Sequence, residues 1–355
     1  MEARLEKVRG LLRDKGIDAI LVMQPENRRY LSGFTGSAGV LLIGAEYALL
    51  ITDFRYVEQA QEEAPAFKVI KCGQKISDTI AEVAQNQNIR SLGFESDFIT
   101  YRQHVMLSEN LGFLDFIPYD GTVEGLRMVK NEDELAMIAQ ACALGDSAFS
   151  HILGMIRPGV SELDVALELE WHMRKKGAEG VAFDIIVASG ARSALPHGRA
   201  SGKRIEAGDL VVIDLGARFN GYCGDMTRTI MIGRATEEQR RVYEIVLSAQ
   251  LAALEAVAPG KKGSEVDAVA RDRIAREGYA EAFGHGLGHG VGLAVHEEPR
   301  LSPSGEVALE PGMVVSVEPG VYLPDWGGVR IEDLVAVTGD GCSVFTRSDK
   351  ALIEI

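Results

Sequence analysis

Four acidic residues in the second half of the chain stand in two matched pairs. The run G-D-L-V-V-I-D-L-G at 208–216 recurs as G-M-V-V-S-V-E-P-G at 312–320, so Asp214 aligns with Glu318. Each is followed by a second acid, Asp225 in the first case and Glu332 in the second. The repeat extends upstream at a nearly constant offset. Pro158-Gly159 with Ser161, Glu162 and Asp164 matches Pro259-Gly260 with Ser264, Glu265 and Asp267, and Gly177 matches Gly278. An internal repeat of this length implies two like units packed about a pseudo-twofold axis. Each would deliver two hard oxygen ligands to a shared centre. Four converging carboxylates repel one another unless cations sit among them, so the pattern asks for metal.

The spacing also predicts how the first pair meets. Leu210–Leu215 and Tyr222–Ile232 are β-rich runs joined through Asn220-Gly221, a strong two-residue hairpin signal. That turn sets position 219 against 222 and Asp214 against Thr227. Asp225, two residues from Thr227, then shares its face and lies diagonal to Asp214, within reach of a common ion. Histidines supply the rest of the chemistry. The segment Gly284-His285-Gly286-Leu287-Gly288-His289-Gly290-Val291-Gly292 holds two His and five Gly in nine positions. Such a segment makes a poor helix or packed strand and suits backbone that approaches a ligand closely. His296 follows directly, and His197 precedes the first hairpin in Leu195-Pro196-His197-Gly198. Four carboxylates with one imidazole form a mostly hard ligand set, suited to Mn²⁺, Co²⁺, Zn²⁺ or Fe²⁺. Two ions sharing carboxylates would hold a hydroxide at neutral pH, and the remaining imidazoles would stabilise an oxyanion or orient substrate. The chemistry read from the residues alone is metal-assisted hydrolysis.

The elements that must position these residues are legible from pattern. Residues 1–15 read as a helix with Leu5, Val8 and Leu12 on one face, stopped by Gly16, and 17–23 as a strand. Two apolar runs, 40–43 and 47–52, flank Gly44-Ala45-Glu46 as a hairpin. Helical and extended patterns alternate to Pro118, giving an α/β domain over 1–122 whose lone His104 is a surface or core-edge residue. The second domain, 123–355, starts after Asp120-Gly121. There Asn131 caps a long helix to about Leu153, and Ser161 with Asp164 opens the next. Helices over 236–257 and 264–277 repeat the arrangement. The unit is helix–helix–strands, twice, so the second half is expected to be a curved sheet with helices packed outside.

Composition bounds the partners. The chain has 355 residues, 46% hydrophobic and 25% charged, which is an ordinary soluble composition with room for two cores. A net charge of −15 disfavours nucleic acid and anionic membrane. Cys72, Cys142, Cys223 and Cys342 are scattered without a C-x-x-C pair and read as four buried free thiols of a reducing cytosol. The charged, amphipathic start is not a signal peptide, and no apolar run is long enough to span a membrane. The expected location is cytoplasmic.

With these residues in place the chain resembles the pita-bread metallopeptidases, among them methionine aminopeptidase, aminopeptidase P and prolidase. H-G-x-G-H-x-x-G at 285–292 and S-V-E-P-G at 316–320 match family motifs in the expected order. The first 120 residues, with Tyr30–Gly36 and Thr52–Tyr56, resemble the creatinase-type N-terminal domain that methionine aminopeptidases lack. The resemblance implies an α/β (α+β) fold with a creatinase-like domain before a pita-bread catalytic domain. It implies two divalent ions per chain, Mn²⁺ or Co²⁺ before Zn²⁺ or Fe²⁺, held by Asp214, Asp225, His289, Glu318 and Glu332. Asp225 and Glu332 would bridge them, Asp214 would complete one site, and His289 with Glu318 the other. Glu318 would also shuttle a proton. His285 and His296 would contact the scissile carbonyl and nearby backbone, and His197 the substrate at the pocket edge. Arg330, with Thr227, would support the centre from its outer shell. The substrate would be an Xaa-Pro dipeptide or a longer Xaa-Pro peptide, in a homodimeric enzyme. Arg300, in His296-Glu297-Glu298-Pro299-Arg300, favours the dipeptide because a guanidinium fork suits a free carboxylate; the alternative is a surface ion pair. A member that has lost its ligands would be a creatinase-like or non-enzymatic protein, but all five positions are filled here.

Overall fold

The computed structural model describes Met1–Ile355 and divides into two compact units, Met1–Arg127 and Met128–Ile355. In the first, a six-stranded mixed sheet has the strand order Lys68–Lys71, Ala48–Thr52, Val40–Gly44, Ala19–Val22, Ser91–Phe94, Asp115–Pro118. The central strands are short apolar runs buried on both faces, whereas the two edge strands are exposed at their ends and only partly buried between. The hairpin about Gly44–Glu46 forms, with Ile43 opposite Ala48. Helix Glu2–Lys15 buries Leu5, Val8 and Leu12 and stops at Gly16, whose φ of 65° suits glycine. The division falls after Arg127 rather than at residue 122. Helix Thr122–Met128 is tied back to the first unit through Arg127 Nη1 donating to Asn27 Oδ1 at 2.7 Å and Tyr30 OH donating to Leu126 O at 3.0 Å.

The second unit carries the repeat. Helix Glu132–Ile152 starts at a capping box of Asn131 and Glu134, and helix Glu162–Lys175 at one of Ser161 and Asp164. Helices Glu237–Ala256 and Gly263–Arg276 repeat the pair. The caps correct the sequence alignment. Helix Gly263–Arg276 starts at Lys262, where Glu265 accepts from Lys262 N at 2.8 Å, so Lys262 rather than Ser264 corresponds to Ser161. Gly263 then stands where the first repeat has Glu162, and a Cβ there would come within 2.0 Å of Arg300 O. The neighbouring Ser264-Glu265 mimics a cap in sequence, but this contact fixes the register.

Each helix pair covers its own sheet. One core joins Leu144, Phe149 and Leu169 to strands Ile186–Ser189, Leu210–Leu215 and Met226–Met231. The other joins Val246, Val266 and Ile274 to strands Val314–Val317 and Asp333–Val337. The curved sheet expected from sequence is therefore divided into four- and five-stranded sheets, accompanied by a three-stranded sheet and a two-stranded hairpin. Pro319, which has no N–H to donate, follows Val314–Val317 where the ladder ends. The repeats meet where Glu332 N donates to Thr227 O at 3.1 Å and Arg330 N to Thr229 Oγ1 at 3.0 Å. The four cysteines are free, as read, but only Cys142 and Cys223 are buried; Cys72 and Cys342 are partly exposed. No helix is long and apolar enough to cross a membrane.

Candidate metal centre

The predicted hairpin register holds: Phe219 pairs with Tyr222 and Asp214 with Thr227. Gly216 and Gly224 permit the close return of the chain, since a Cβ on Gly216 would lie 2.0 Å from Gly224 O. The return leaves Asp225 beside Asp214. Glu332 arrives from the second repeat, and carboxylate oxygens of Asp214, Asp225 and Glu332 all lie within 4.8 Å of one another. Glu318, at the end of Val314–Val317, joins them through His289, whose Nε2 is 3.2 Å from Glu318 Oε1 and 3.8 Å from Asp225 Oδ2.

The electrostatics of this cluster are those of a site built for cations. Burial pushes Asp225 well above the ordinary carboxylate range, and the charges of Glu332 and Asp214 push it further. Burial does the same to Glu332, reinforced by Glu318 and Asp214. Asp214 is raised by burial in spite of its ion pair with Arg330. Glu318 goes the other way: burial would raise it, but hydrogen bonding and attraction from His289 bring it down to about 2. Asp214 Oδ1 and Glu332 Oε1 are buried without any hydrogen-bond partner. An orphaned carboxylate oxygen in a dry site is costly unless a cation takes the place of the missing donor. His289 Nδ1 faces Gly290 O at 3.1 Å and donates to it, so Nε2 is the nitrogen turned to the two carboxylates. The donor set, mostly oxygen with one imidazole, fits hard to borderline divalent ions.

A supporting layer fixes the acids. Arg330 is 3% exposed; its Nη2 donates to Asp214 Oδ2 at 2.6 Å, its Nε to Thr227 Oγ1 at 3.0 Å and its Nη1 to Tyr322 OH at 2.9 Å. Thr227 Oγ1 in turn donates to Glu332 Oε2 at 2.7 Å. Ser316 Oγ accepts from His289 N at 3.0 Å and donates to Glu318 Oε1 at 3.1 Å.

The acids open onto a cavity of about 540 Å³ whose lining includes all the other residues singled out from sequence except Thr227, which lies behind them. His197, His285, His296 and Arg300 line it, together with Phe183 and Ile186. His296 stands edge-on to His289 with ring centres 4.3 Å apart, and burial with the nearby His289 and Arg300 lowers it to about 4. His285 is lowered chiefly by burial. Its Nδ1 donates to Gly286 O at 2.7 Å, so its Nε2, 3.0 Å from Tyr322 OH, accepts the tyrosine proton. Arg300 is half exposed, and its Nε lies 3.7 Å from Glu298 Oε1, so a weak ion pair and a place on the cavity wall coexist.

Tyr322 and Ser316 went unnoticed in sequence. Tyr322 shares a face with Gly320, which pairs with Arg330, but that parity is visible only once Gly320–Leu323 and Gly327–Arg330 are known to form a hairpin. Ser316 lies inside S-V-E-P-G, and nothing local in that motif signals that its hydroxyl bridges His289 N and Glu318.

Comparison with known proteins agrees with this geometry. The model of metallopeptidase family M24 matches residues 136–339, and that of the creatinase/prolidase N-terminal domain matches residues 4–129. The Xaa-Pro dipeptidase of Pyrococcus furiosus is 42% identical over 355 residues, covering 99% of this chain and 100% of the relative. The solved Xaa-Pro dipeptidase of Bacillus anthracis superposes with a TM-score of 0.98 at 47% identity, covering 100% of this chain and 99% of that one. An X-Pro aminopeptidase of Thermotoga maritima superposes with a TM-score of 0.90 at 42% identity, covering 96% and 98%.

Proposed function

This chain belongs to metallopeptidase family M24, and from that premise we propose that it hydrolyses the Xaa-Pro bond of dipeptides, as a prolidase. The observation that carries the reading is the buried cluster of Asp214, Asp225 and Glu332 beside His289 and Glu318, with two orphaned carboxylate oxygens, in a chain matched along nearly its whole length by Xaa-Pro dipeptidases. Asp225 and Glu332 would be shared by two divalent ions, Asp214 would complete one site, and His289 with Glu318 the other. When bound, the ions supply an ionised water at neutral pH and polarise the scissile carbonyl. Mn²⁺ or Co²⁺ is the proposed pair.

The rest is done by the chain's own side chains. Arg330 holds Asp214 in place and offsets the negative charge of the acids. Glu318, ionised at neutral pH, would take a proton from the attacking water at a carboxylate oxygen and return it to the prolyl nitrogen as the bond breaks. His296 and His197 orient the peptide on the cavity wall. His285 would contact the carbonyl only once its Nε2, which accepts the Tyr322 proton in the present arrangement, has released Tyr322 and carries a proton of its own. Arg300 would receive the free carboxylate of the dipeptide. The free thiols support a cytoplasmic location, and a homodimer belongs to the same reading. The test is a paired assay of the Mn²⁺-loaded and Co²⁺-loaded protein on Met-Pro or Gly-Pro and on an Xaa-Pro-Yaa tripeptide. Preference for the dipeptide supports the proposal; preference for the tripeptide transfers it to aminopeptidase P, the activity named for the Thermotoga relative.

A further inference from the structure

Two of the histidines on the cavity wall sit on backbone that no sheet or α-helix supports. His285 lies between the short turn Ala280–Ala282 and strand Gly288–Gly290, and His197 lies beyond the 3₁₀ turn Gly190–Ala194. Irregular backbone leaves its N–H and C=O groups to find partners elsewhere. Both segments are tied to a buried carboxylate on the second helix of their own repeat, through N–H groups it accepts or through an arginine paired with it.

In the second repeat that residue is Asp267, 1% exposed. It accepts Leu287 N at 2.9 Å and pairs bidentately with Arg271, whose Nε and Nη2 lie 2.7 and 2.8 Å from its two oxygens. The same guanidinium donates to Phe283 O at 2.9 Å and to His285 O at 2.7 Å. Carbonyls at and before His285 and an amide after it are thus tied to one ion pair, with the guanidinium also 4.3 Å over the Phe283 ring. In the first repeat the residue is Glu162, fully buried. One oxygen accepts Ser189 N and Oγ at 2.8 and 2.9 Å; the other accepts Ser201 N and Oγ at 3.1 and 2.7 Å and also pairs with Arg192. Ser189 and Ser201 bracket the segment that carries His197. Neither carboxylate lines the cavity. They are also not equivalent by alignment, since Gly263 occupies the place of Glu162. The two repeats have reached the same device from different positions.

We propose that Asp267 with Arg271, and Glu162, are positioning residues that hold His285 and His197 respectively in their working places on the cavity wall. This rests on the peptidase reading above for what the histidines do, but the contacts themselves do not. Fixed outer contacts of this kind are worth about 10- to 100-fold in activity, because a displacement near 1 Å at the reacting centre is enough to cost that much.

The test is a set of double-mutant cycles on the full-length Mn²⁺-loaded protein with an Xaa-Pro dipeptide, using Arg271→Met and Glu162→Gln. Arg271→Met is expected to lower kcat/KM by about 10- to 100-fold with metal content unchanged, and by less than about twofold when His285 is already alanine. Combined with His197→Ala it should show its full effect. Glu162→Gln should show the converse pattern. A merely structural role would give the same loss in every background, and that additivity overturns the proposal, as does unchanged kcat/KM in a folded Arg271→Met. Should Arg271→Met fail to fold, Arg271→Lys keeps the charge but not the fork, and must show the same dependence on His285. Amide exchange of the wild type reads the contacts without any assay. Leu287 N–H and Ser201 N–H should be protected like neighbouring strand amides despite their irregular backbone, and rapid exchange at both refutes the clamps. A wild type that cleaves no Xaa-Pro peptide yet protects both amides sinks the peptidase reading and leaves the clamps standing.

Discussion

Stripping the metal should make this protein's stability fall as pH rises, and restoring the metal should abolish that fall. The sign follows from the acids. Asp225 and Glu332 have folded-state pKa values pushed well above the ordinary carboxylate range, first by burial and then by neighbouring acids, Glu332 and Asp214 for the former and Glu318 and Asp214 for the latter. Without cations the folded state therefore holds protons that the unfolded chain has already released. A folded state that binds more protons loses stability as pH rises. Each proton that the folded chain holds and the unfolded chain does not changes stability by about 1.4 kcal/mol per pH unit. For a unit of 150–250 residues 1 kcal/mol moves Tm by about 2–4 °C, so each such proton is worth roughly 3–6 °C per pH unit. Lowered His285 and His296 act in the opposite sense, since the unfolded imidazoles bind protons the folded ones do not, and their contribution is exhausted above about pH 7.5. Taking the difference between loaded and EDTA-treated Tm at each pH largely cancels them. Scanning fluorimetry at pH 6, 7 and 8 should show that difference widening with pH. A difference that stays constant, or narrows, would mean that the cluster is not protonated when metal-free and that the electrostatic argument for cations is wrong.

Other outcomes follow from the same geometry. Asp225→Asn should abolish dipeptide hydrolysis and lower bound Mn²⁺, measured by metal analysis, while far-UV circular dichroism stays native; normal turnover with two ions retained would remove Asp225 from the centre. Glu318→Gln should reduce kcat by several orders of magnitude at saturating metal, since it removes a ligand and a proton carrier together; a loss of only a few-fold would hand the proton to another group. Arg300→Ala should lower kcat/KM for Xaa-Pro dipeptides by roughly 30- to 1000-fold, corresponding to about 2–4 kcal/mol for a charge-assisted fork, and Arg300→Lys should rescue poorly. Tripeptides, whose carboxylate lies further out, should be much less affected, and equal losses on both substrates would assign Arg300 to the wall rather than to the carboxylate.

What could be read from the sequence was whatever local rules determine. The Asn220-Gly221 turn fixes a register, and from it the Asp214–Thr227 pair and the face of Asp225 follow by parity. Asn131, Ser161 and Thr236 begin helices because their side chains accept an orphan amide of the first turn. Ser264 misled because it carries the same local signal, while the position of helix Gly263–Arg276 is decided by a tertiary contact, the passage of Arg300 O over Gly263. Tyr322 and Ser316 lay beyond reach for the same reason. Their roles depend on which strands lie side by side, and no local rule states that.

The centre lies on the seam between the repeats, and this explains why its acids are costly yet well ordered. Arg330 of the second repeat pairs with Asp214 of the first, while Thr227 of the first donates to Glu332 of the second. Backbone bonds at Glu332 N and Arg330 N cross the same line. A cation held among Asp214, Asp225 and Glu332 would therefore join the two halves at the point where burial of like charge most opposes their joining. Ligation and docking of the repeats are then one equilibrium. Metal stabilises the docked arrangement by mass action, and a substitution that loosens the seam, such as Thr227→Val, should weaken metal binding although Thr227 itself is no ligand. The cavity histidines touch this seam through Arg330, whose Nη1 donates to Pro196 O at 3.1 Å beside His197 and to Tyr322 OH, the partner of His285. Their loops are fastened in addition to helices of their own repeats by Glu162 and by Asp267 with Arg271. Activity thus needs both a closed seam and two fastened loops, and variants should fail in distinguishable ways: those that loosen the seam lose metal, and those that release only a helix-side fastening keep it.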